Sequence, residues 1–207
     1  FGRGFLIGFI LLTVSILPFP FLREPRSEPK TDGDFRWDLA IAIWRSDTRF
    51  RRLAISQTVY TLTSAAAPFL ALLAEHRLGK GNANLALYTT VSVFTAAVGS
   101  LFIGWLADRW GNRPMTAMAC LFGAATFLVA IVAPNNFVFA LVFALWALAT
   151  AGIDVAANTL MMELAGDSET IPLYSALYNI VRAAPRTLAP WLGGILVGWL
   201  GYPPIMA

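Results

Sequence analysis

Apolar residues in this chain come in blocks long enough to cross a lipid bilayer, and that decides most of what it can fold into. A spanning helix needs about 20 mostly apolar residues to cross a hydrocarbon core of about 30 Å. Residues 1–22, 53–74, 85–106, 115–133, 137–162 and 171–200 each read this way. Backbone amides inside hydrocarbon must be satisfied within the segment, so each block is expected as an α-helix. None shows the ten-residue alternation of a membrane β-barrel strand. The expected fold class is an all-α polytopic membrane protein with about six transmembrane helices. Only 13% of the 207 residues are charged, against roughly 25% in an average soluble domain.

Charge is concentrated between the blocks. Residues 23–52 hold eight basic residues: Arg23, Arg26, Lys30, Arg36, Arg45, Arg49, Arg51 and Arg52. Phe35, Leu39, Ile43 and Trp44 recur there at helical spacing. An amphipathic helix on the membrane surface and a solvated linker both fit that pattern. With this segment in the cytoplasm, alternation makes loops 107–114 and 163–170 cytoplasmic and loops 75–84 and 134–136 external. Arg109 and Arg113 then join the cytoplasmic eight, against Arg3, Arg77 and Lys80 outside, as the positive-inside rule requires. The expected location is the cell (inner or plasma) membrane, multi-pass. The net charge of +3 therefore reflects topology, and no nucleic-acid partner is expected.

One cysteine (Cys120) and one histidine (His76) allow no internal disulfide and no metal cluster. No G-x(4)-G-K-[ST] loop is present, so neither cofactor, metal nor ATP-driven action is expected. The chain opens at an apolar Phe1 without the basic start and small-residue cleavage site of a signal peptide. It reads as an internal piece of a longer protein.

Three ionisable residues fall inside spanning blocks: Asp154, Arg182 and Arg186. Such residues face the bundle interior or water and are functional candidates by default. Asp154 and Arg182 lie at similar depths, about 12 and 16 Å from the same edge, so a pair across adjacent helices is feasible. Arg186 follows one turn on. One carboxylate against two guanidiniums leaves a positive charge that an anionic substrate, or an acid elsewhere in the protein, would neutralise; purely structural pairing is the other reading. Gln57, Tyr60, Thr61 and Ser64 share one helical face, beside Ser56. That face suits either substrate hydrogen bonding or helix packing. Asn158 and Asn179 are further candidates near the charges.

The segment Gly104-Trp-Leu-Ala-Asp-Arg-Trp-Gly-Asn-Arg-Pro114 is a charged turn between two spanning blocks. Gly111 permits a sharp reversal, and Pro114 suits the first turn of the next helix. It resembles the loop signature of the major facilitator superfamily, G-x(3)-D-R-x-G-x-R, through Gly104, Asp108, Arg109, Gly111 and Arg113. Asn112 stands where that family often has a second basic residue. The resemblance implies a twelve-helix transporter made of two similar halves. A helix, a long basic loop and then helices with the motif after the second fit helices 6–11. On that reading 1–22 is the last helix of the N-terminal half, 23–52 the cytoplasmic central linker, and 53–207 an incomplete C-terminal half. The stretch Asp47 to Leu53 with Ala67-Pro-Phe69 resembles the start of helix seven, and Pro190-Trp-Leu-Gly-Gly194 with Gly201-Tyr202 the end of helix eleven.

The resemblance also implies a function: secondary active transport of a small molecule by alternating access, coupled to protons. The substrate is expected to be anionic or amphiphilic. The motif would be a cytoplasmic gate, with Glu163 paired to Arg109 or Arg113. The expected partners are that solute, the coupling proton, the lipid bilayer and the missing N-terminal half. A multidrug efflux antiporter and a non-transporting receptor or scaffold of the same fold are the alternatives. An enzyme is not expected, because one His, one Cys and one intramembrane Asp make no catalytic cluster.

Overall fold

The computed structural model of the chain describes residues 9–10, 13–14, 37–79 and 84–200. The helix expected over 1–22 lies outside these, apart from helical residues 9–10 and 13–14, and so does the linker over 23–36. Residues 1–36 and 37–207 form two separate units; the elements below belong to the second.

Among the described residues this unit is all helix: α1 (Trp37–Ser46), α2 (Thr48–Leu78), α3 (Leu85–Trp110), α4 (Asn112–Val132), α5 (Asn136–Ala165) and α6 (Ile171–Leu200). Helices α2 to α5 are each long and apolar enough to cross a membrane, and α6 has 30 residues. Their outward faces are strongly apolar; Leu101 is 78% and Leu121 68% exposed. Such faces suit acyl chains and would be a liability in water.

Short polar side chains set the helix starts. Asp47 accepts from the backbone amides of Arg49 and Phe50 at 2.9 and 3.0 Å. Asn84 caps α3 through Leu87 N, and Asn135 caps α5 through Val138 N. These are standard N-caps, satisfying amides that lack an intrahelical partner. The cap at Asp47 moves the start of α2 five residues ahead of the apolar block.

Pro68 is accommodated inside α2. In a regular helix its ring would clash with the carbonyl of Ser64. The helix instead tightens to a 3-10 turn over Ser64–Ala66 and resumes at Ala67. Helix α6, by contrast, runs continuously through Pro185 and Pro190.

The turn at the motif is tighter than a loop. Helix α3 extends to Trp110 and α4 starts at Asn112, leaving Gly111 alone between them. Asp108 and Arg109 therefore belong to α3, which runs four residues past its apolar block. Charged side chains can continue a helix there because they reach water at the membrane edge. Gly111 has φ 86 and ψ 161, a region essentially reserved for glycine.

Helix α5 is the centre of the unit, packed against α3 and α4, while α2 packs against α6. Its buried side is rich in small residues, Ala140, Ala147, Ala149, Ala151, Gly152 and Ala156, beside Phe139, Val142 and Ile153. These let backbones approach closely, which is how helices associate in lipid. At Gly152 a Cβ would fall 2.6 Å from the Ala119 Cβ of α4 and 3.4 Å from Ile103 of α3. Gly104 is less constrained, since a Cβ there would meet Val155 at an ordinary 3.9 Å.

The three glycines should separate in melting curves of the purified full-length protein in detergent. Gly152→Ala overpacks the crossing and should lose about 1–3 kcal/mol. Gly111→Ala should lose a similar amount through backbone strain. Gly104→Ala should be close to neutral.

Candidate functional site

The site begins where α2 and α6 meet. Besides capping α2, Asp47 accepts a hydrogen bond from the Tyr174 hydroxyl at 3.0 Å. The Phe50 and Tyr174 rings meet edge to face with centroids 5.0 Å apart. Two turns beyond Phe50 on the same face of α2 is Gln57; one turn beyond Tyr174 on α6 is Tyr178. Both lie in this seam and both are buried, at 0% and 1% exposure. Neither amide atom of Gln57 has a hydrogen-bond partner among the described residues. A buried polar group without a partner costs about 1–3 kcal/mol, so this amide is a costly thing to keep.

The hydroxyl groups of the same stretch behave differently. Ser56, Thr61 and Ser64 bond back to carbonyls of their own helix, on Leu53, Gln57 and Thr61. Tyr60 does not. Its ring stacks on Trp146 of α5 at 6.2 Å and passes Gly123 of α4, where a Cβ would meet it at 3.5 Å. Phe127 closes on the other side of Trp146. The Tyr60 hydroxyl is buried and has no partner among the described residues.

Asp154 sits in a π-helical turn, Ile153–Ala157, that interrupts α5 directly after the tight crossing at Gly152. Single π turns of this kind occur often at functional sites. An extra residue in one turn re-phases a helix by about 100°. Here it leaves the Asp154 side chain exposed. Asn158 donates to the Asp154 carbonyl at 2.8 Å, satisfying backbone that the wide turn loosens. Its amide group is thus engaged with the helix itself.

The Asp154–Arg182 ion pair that their depths allow does not form among the described residues. The guanidinium of half-buried Arg182 lies over the Tyr178 ring, 5.0 Å from its centroid, a favourable cation–π arrangement. Asp154 and Arg182 nevertheless share a neighbourhood, because both act electrostatically on the hydroxyls of Tyr60 and Tyr178. Arg182 is thus held at Tyr178, and both Tyr60 and Tyr178 lie within electrostatic reach of Asp154 and Arg182. Arg186 and Asn179, a turn to either side of Arg182 on α6, are exposed. Tyr178 and Trp146 were missed by the sequence reading; the only signal for Tyr178 was its place one turn before Arg182.

At the motif edge, Glu163 is not paired with Arg109 or Arg113 among the described residues. Its carboxylate accepts from Asn112 Nδ2 at 2.6 Å. The reason is geometric. Asn112 is buried at the first turn of α4 and faces the end of α5. Arg109 instead lies over Trp105 of its own helix, at 4.0 Å, and Arg113 is exposed beside α2. Asn112, which departs from the family pattern, is thus the motif residue that binds α4 to α5. Asp108 is exposed, free of the α3–α5 core.

With this geometry in view, the sequence comparison is informative. A sequence model of the Major Facilitator Superfamily matches residues 53–207, from the first turns of α2 onward. The chain is therefore a multi-pass membrane protein of the transporter class, whose members bind small-molecule substrates. It belongs to the Major Facilitator Superfamily. No curated protein and no solved structure gives a match to it.

The Asp47 junction yields a graded test in melting curves. Asp47→Ala removes two capping bonds and the Tyr174 link together, and the cap alone is worth about 1 kcal/mol. Tyr174→Phe keeps the cap and the ring contact and should lose only about 1 kcal/mol from one hydrogen bond. Equal losses for the two variants would mean that the cap contributes nothing.

Proposed function

We propose that the chain is the helix 6–11 part of a proton-coupled secondary transporter that moves an anionic small molecule by alternating access. The observation that carries this reading is the α2–α6 seam. Gln57 and Tyr60 hold buried polar atoms without partners among the described residues, beside Tyr178, in the field of Asp154 and Arg182. A solute with an acceptor and a negative charge supplies what these groups lack. Half-buried Arg182 has no carboxylate partner among the described residues, and a cation so placed favours an anion. Alternating access then rocks this half against the other half of the protein around the seam.

Asp154 is the protonatable group in this scheme. When it is charged, it and the substrate anion compete for Arg182. When it is protonated, that competition ends and Arg182 is left to the substrate. The residues Asp108, Arg109, Gly111, Arg113 and Glu163 are at the opposite end of their helices from Arg77 and form the gate on the side of the basic loops. Their position at the membrane edge supports gating rather than solute binding.

Full-length protein in liposomes separates the roles. Asp154→Asn should abolish uptake driven by a pH gradient and leave counterflow exchange intact; survival of both activities makes Asp154 structural and removes the coupling scheme. Gln57→Leu should raise KM about tenfold or more, the equivalent of a lost hydrogen bond to a charged partner.

A further inference from the structure

A second feature of the helix bundle lies outside the seam. A cavity of about 410 Å³ separates α2 from α4, with α5 as its floor. Helix α2 contributes Arg49, Arg52, Leu53 and Ser56. Helix α4 contributes Arg113, Thr116, Ala117 and Cys120. Each set has the spacing i, i+3, i+4, i+7, so each is one continuous face of its helix. Leu160 and Leu164 of α5 lie one turn apart beneath them.

Polarity is graded along the cavity. Its three arginines lie at the starts of α2 and α4, at the edge that carries the basic loops. The residues one and two turns deeper are small or apolar. From Arg113 to Cys120 the helix rises about 10 Å. Among the described residues no carboxylate pairs with Arg49, Arg52 or Arg113. Two acids line the adjoining hollow with Arg49: Glu163 is turned to Asn112, and Asp47 to the amides of Arg49 and Phe50 and to the Tyr174 hydroxyl. Three arginines from two helices thus line one opening, with no carboxylate paired to them among the described residues.

We propose that this cavity is a binding site for an anionic phospholipid of the leaflet facing the basic loops. The headgroup phosphate sits among Arg49, Arg52 and Arg113, where planar guanidinium donors match phosphate oxygens. One acyl chain lies along Leu53, Ala117 and Leu160 toward the bilayer centre. A free anion would satisfy the arginines and leave the apolar depth empty. A zwitterionic lipid would fill the depth and bring its own cation to the arginines. An anionic lipid matches both ends. Each basic residue near such a headgroup is worth about a five-fold change in affinity.

Cys120 at the deep end is a built-in reporter. Full-length protein is placed in nanodiscs of phosphatidylglycerol or of phosphatidylcholine. N-ethylmaleimide labelling of the peptide containing Cys120 is followed by mass spectrometry. Labelling should be at least five-fold slower in phosphatidylglycerol. In an Arg49→Gln/Arg52→Gln double variant, checked by its melting curve in phosphatidylcholine, that difference should vanish. Inorganic phosphate added to phosphatidylcholine discs should leave the rate unchanged, because a headgroup alone does not reach Cys120. Equal wild-type rates in the two lipids overturn the proposal, whether because the cavity binds neither lipid or because another part of the full protein fills it. Protection that persists in the double variant, or that phosphate reproduces, overturns it as well. The wild-type comparison stands even if the double variant fails to fold.

Discussion

Helices in a bilayer gain little by hiding leucine from lipid, which is as apolar as leucine itself. What holds this unit together is therefore how closely backbones can approach, and α5 is where they come closest. Gly152 meets Ala119 at a distance that leaves no room for a methyl group. Around it, alanines rather than leucines line the buried face. Many large apolar side chains, Leu101 and Leu121 among them, are left on the outside, where a soluble protein could not tolerate them. Everything else in the α3–α4–α5 body follows from that crossing, including the position of the π turn one residue later.

The polar side chains act at the two ends of this body. At the motif edge, Asn112 and Glu163 join the start of α4 to the end of α5. At the other edge, Arg77 of α2 donates to the carbonyls of Ala130 and Ala133, closing the end of α4. There too, Asn136 accepts from the Tyr88 hydroxyl and from the backbone of Asn84. Cations at a helix C-terminus and side chains on orphan carbonyls are favourable anywhere. In a membrane they gain weight, because the alternative is an unsatisfied group near hydrocarbon. Only in the middle, around Gln57 and Tyr60, are polar groups left unsatisfied among the described residues.

The extent of the long helices was legible because membrane thickness fixes their length and hydrocarbon fixes their composition. Capping moved the boundaries. Asp47 begins α2 early because its carboxylate can reach two amides, and nothing in hydropathy announces that. The motif loop shrank to Gly111 because charged residues at a membrane edge can stay helical. The site was harder to read. Depth along the chain put Asp154 and Arg182 level, but depth carries no azimuth, and the π turn changed the azimuth after Gly152. Charge complementarity pointed Glu163 at the arginines. Burial and reach decided for Asn112 instead, since the first turn of α4 presents it to α5. Tyr178 was invisible because a tyrosine in an apolar helix looks like packing until the residue stacked upon it is known.

The unit thus has two parts of different character. Helices α3, α4 and α5 interlock through small residues and are tied at both ends. Helices α2 and α6 pair with each other through a longer-range set of contacts: the Asp47–Tyr174 bond, the Phe50–Tyr174 rings and the buried polar seam. Helix α2 is further interrupted by its 3-10 turn at Ser64–Ala66. Interlocked small-residue surfaces resist sliding, because any displacement forces backbone into backbone. A seam of aromatic and amide groups has more than one way to satisfy itself, and a proline-relieved turn can absorb a change of direction. Under the proposed transport cycle the α3–α4–α5 body is therefore the part that stays fixed. The first part of α2, Thr48–Thr63, with α6 is the part that responds to the solute, with the Asp47 pin setting how far its edge on the side of the basic loops can move. The same division explains why the unpartnered polar groups sit in α2 and α6. A group that must exchange a solute for a neighbour can only be placed where the packing permits both.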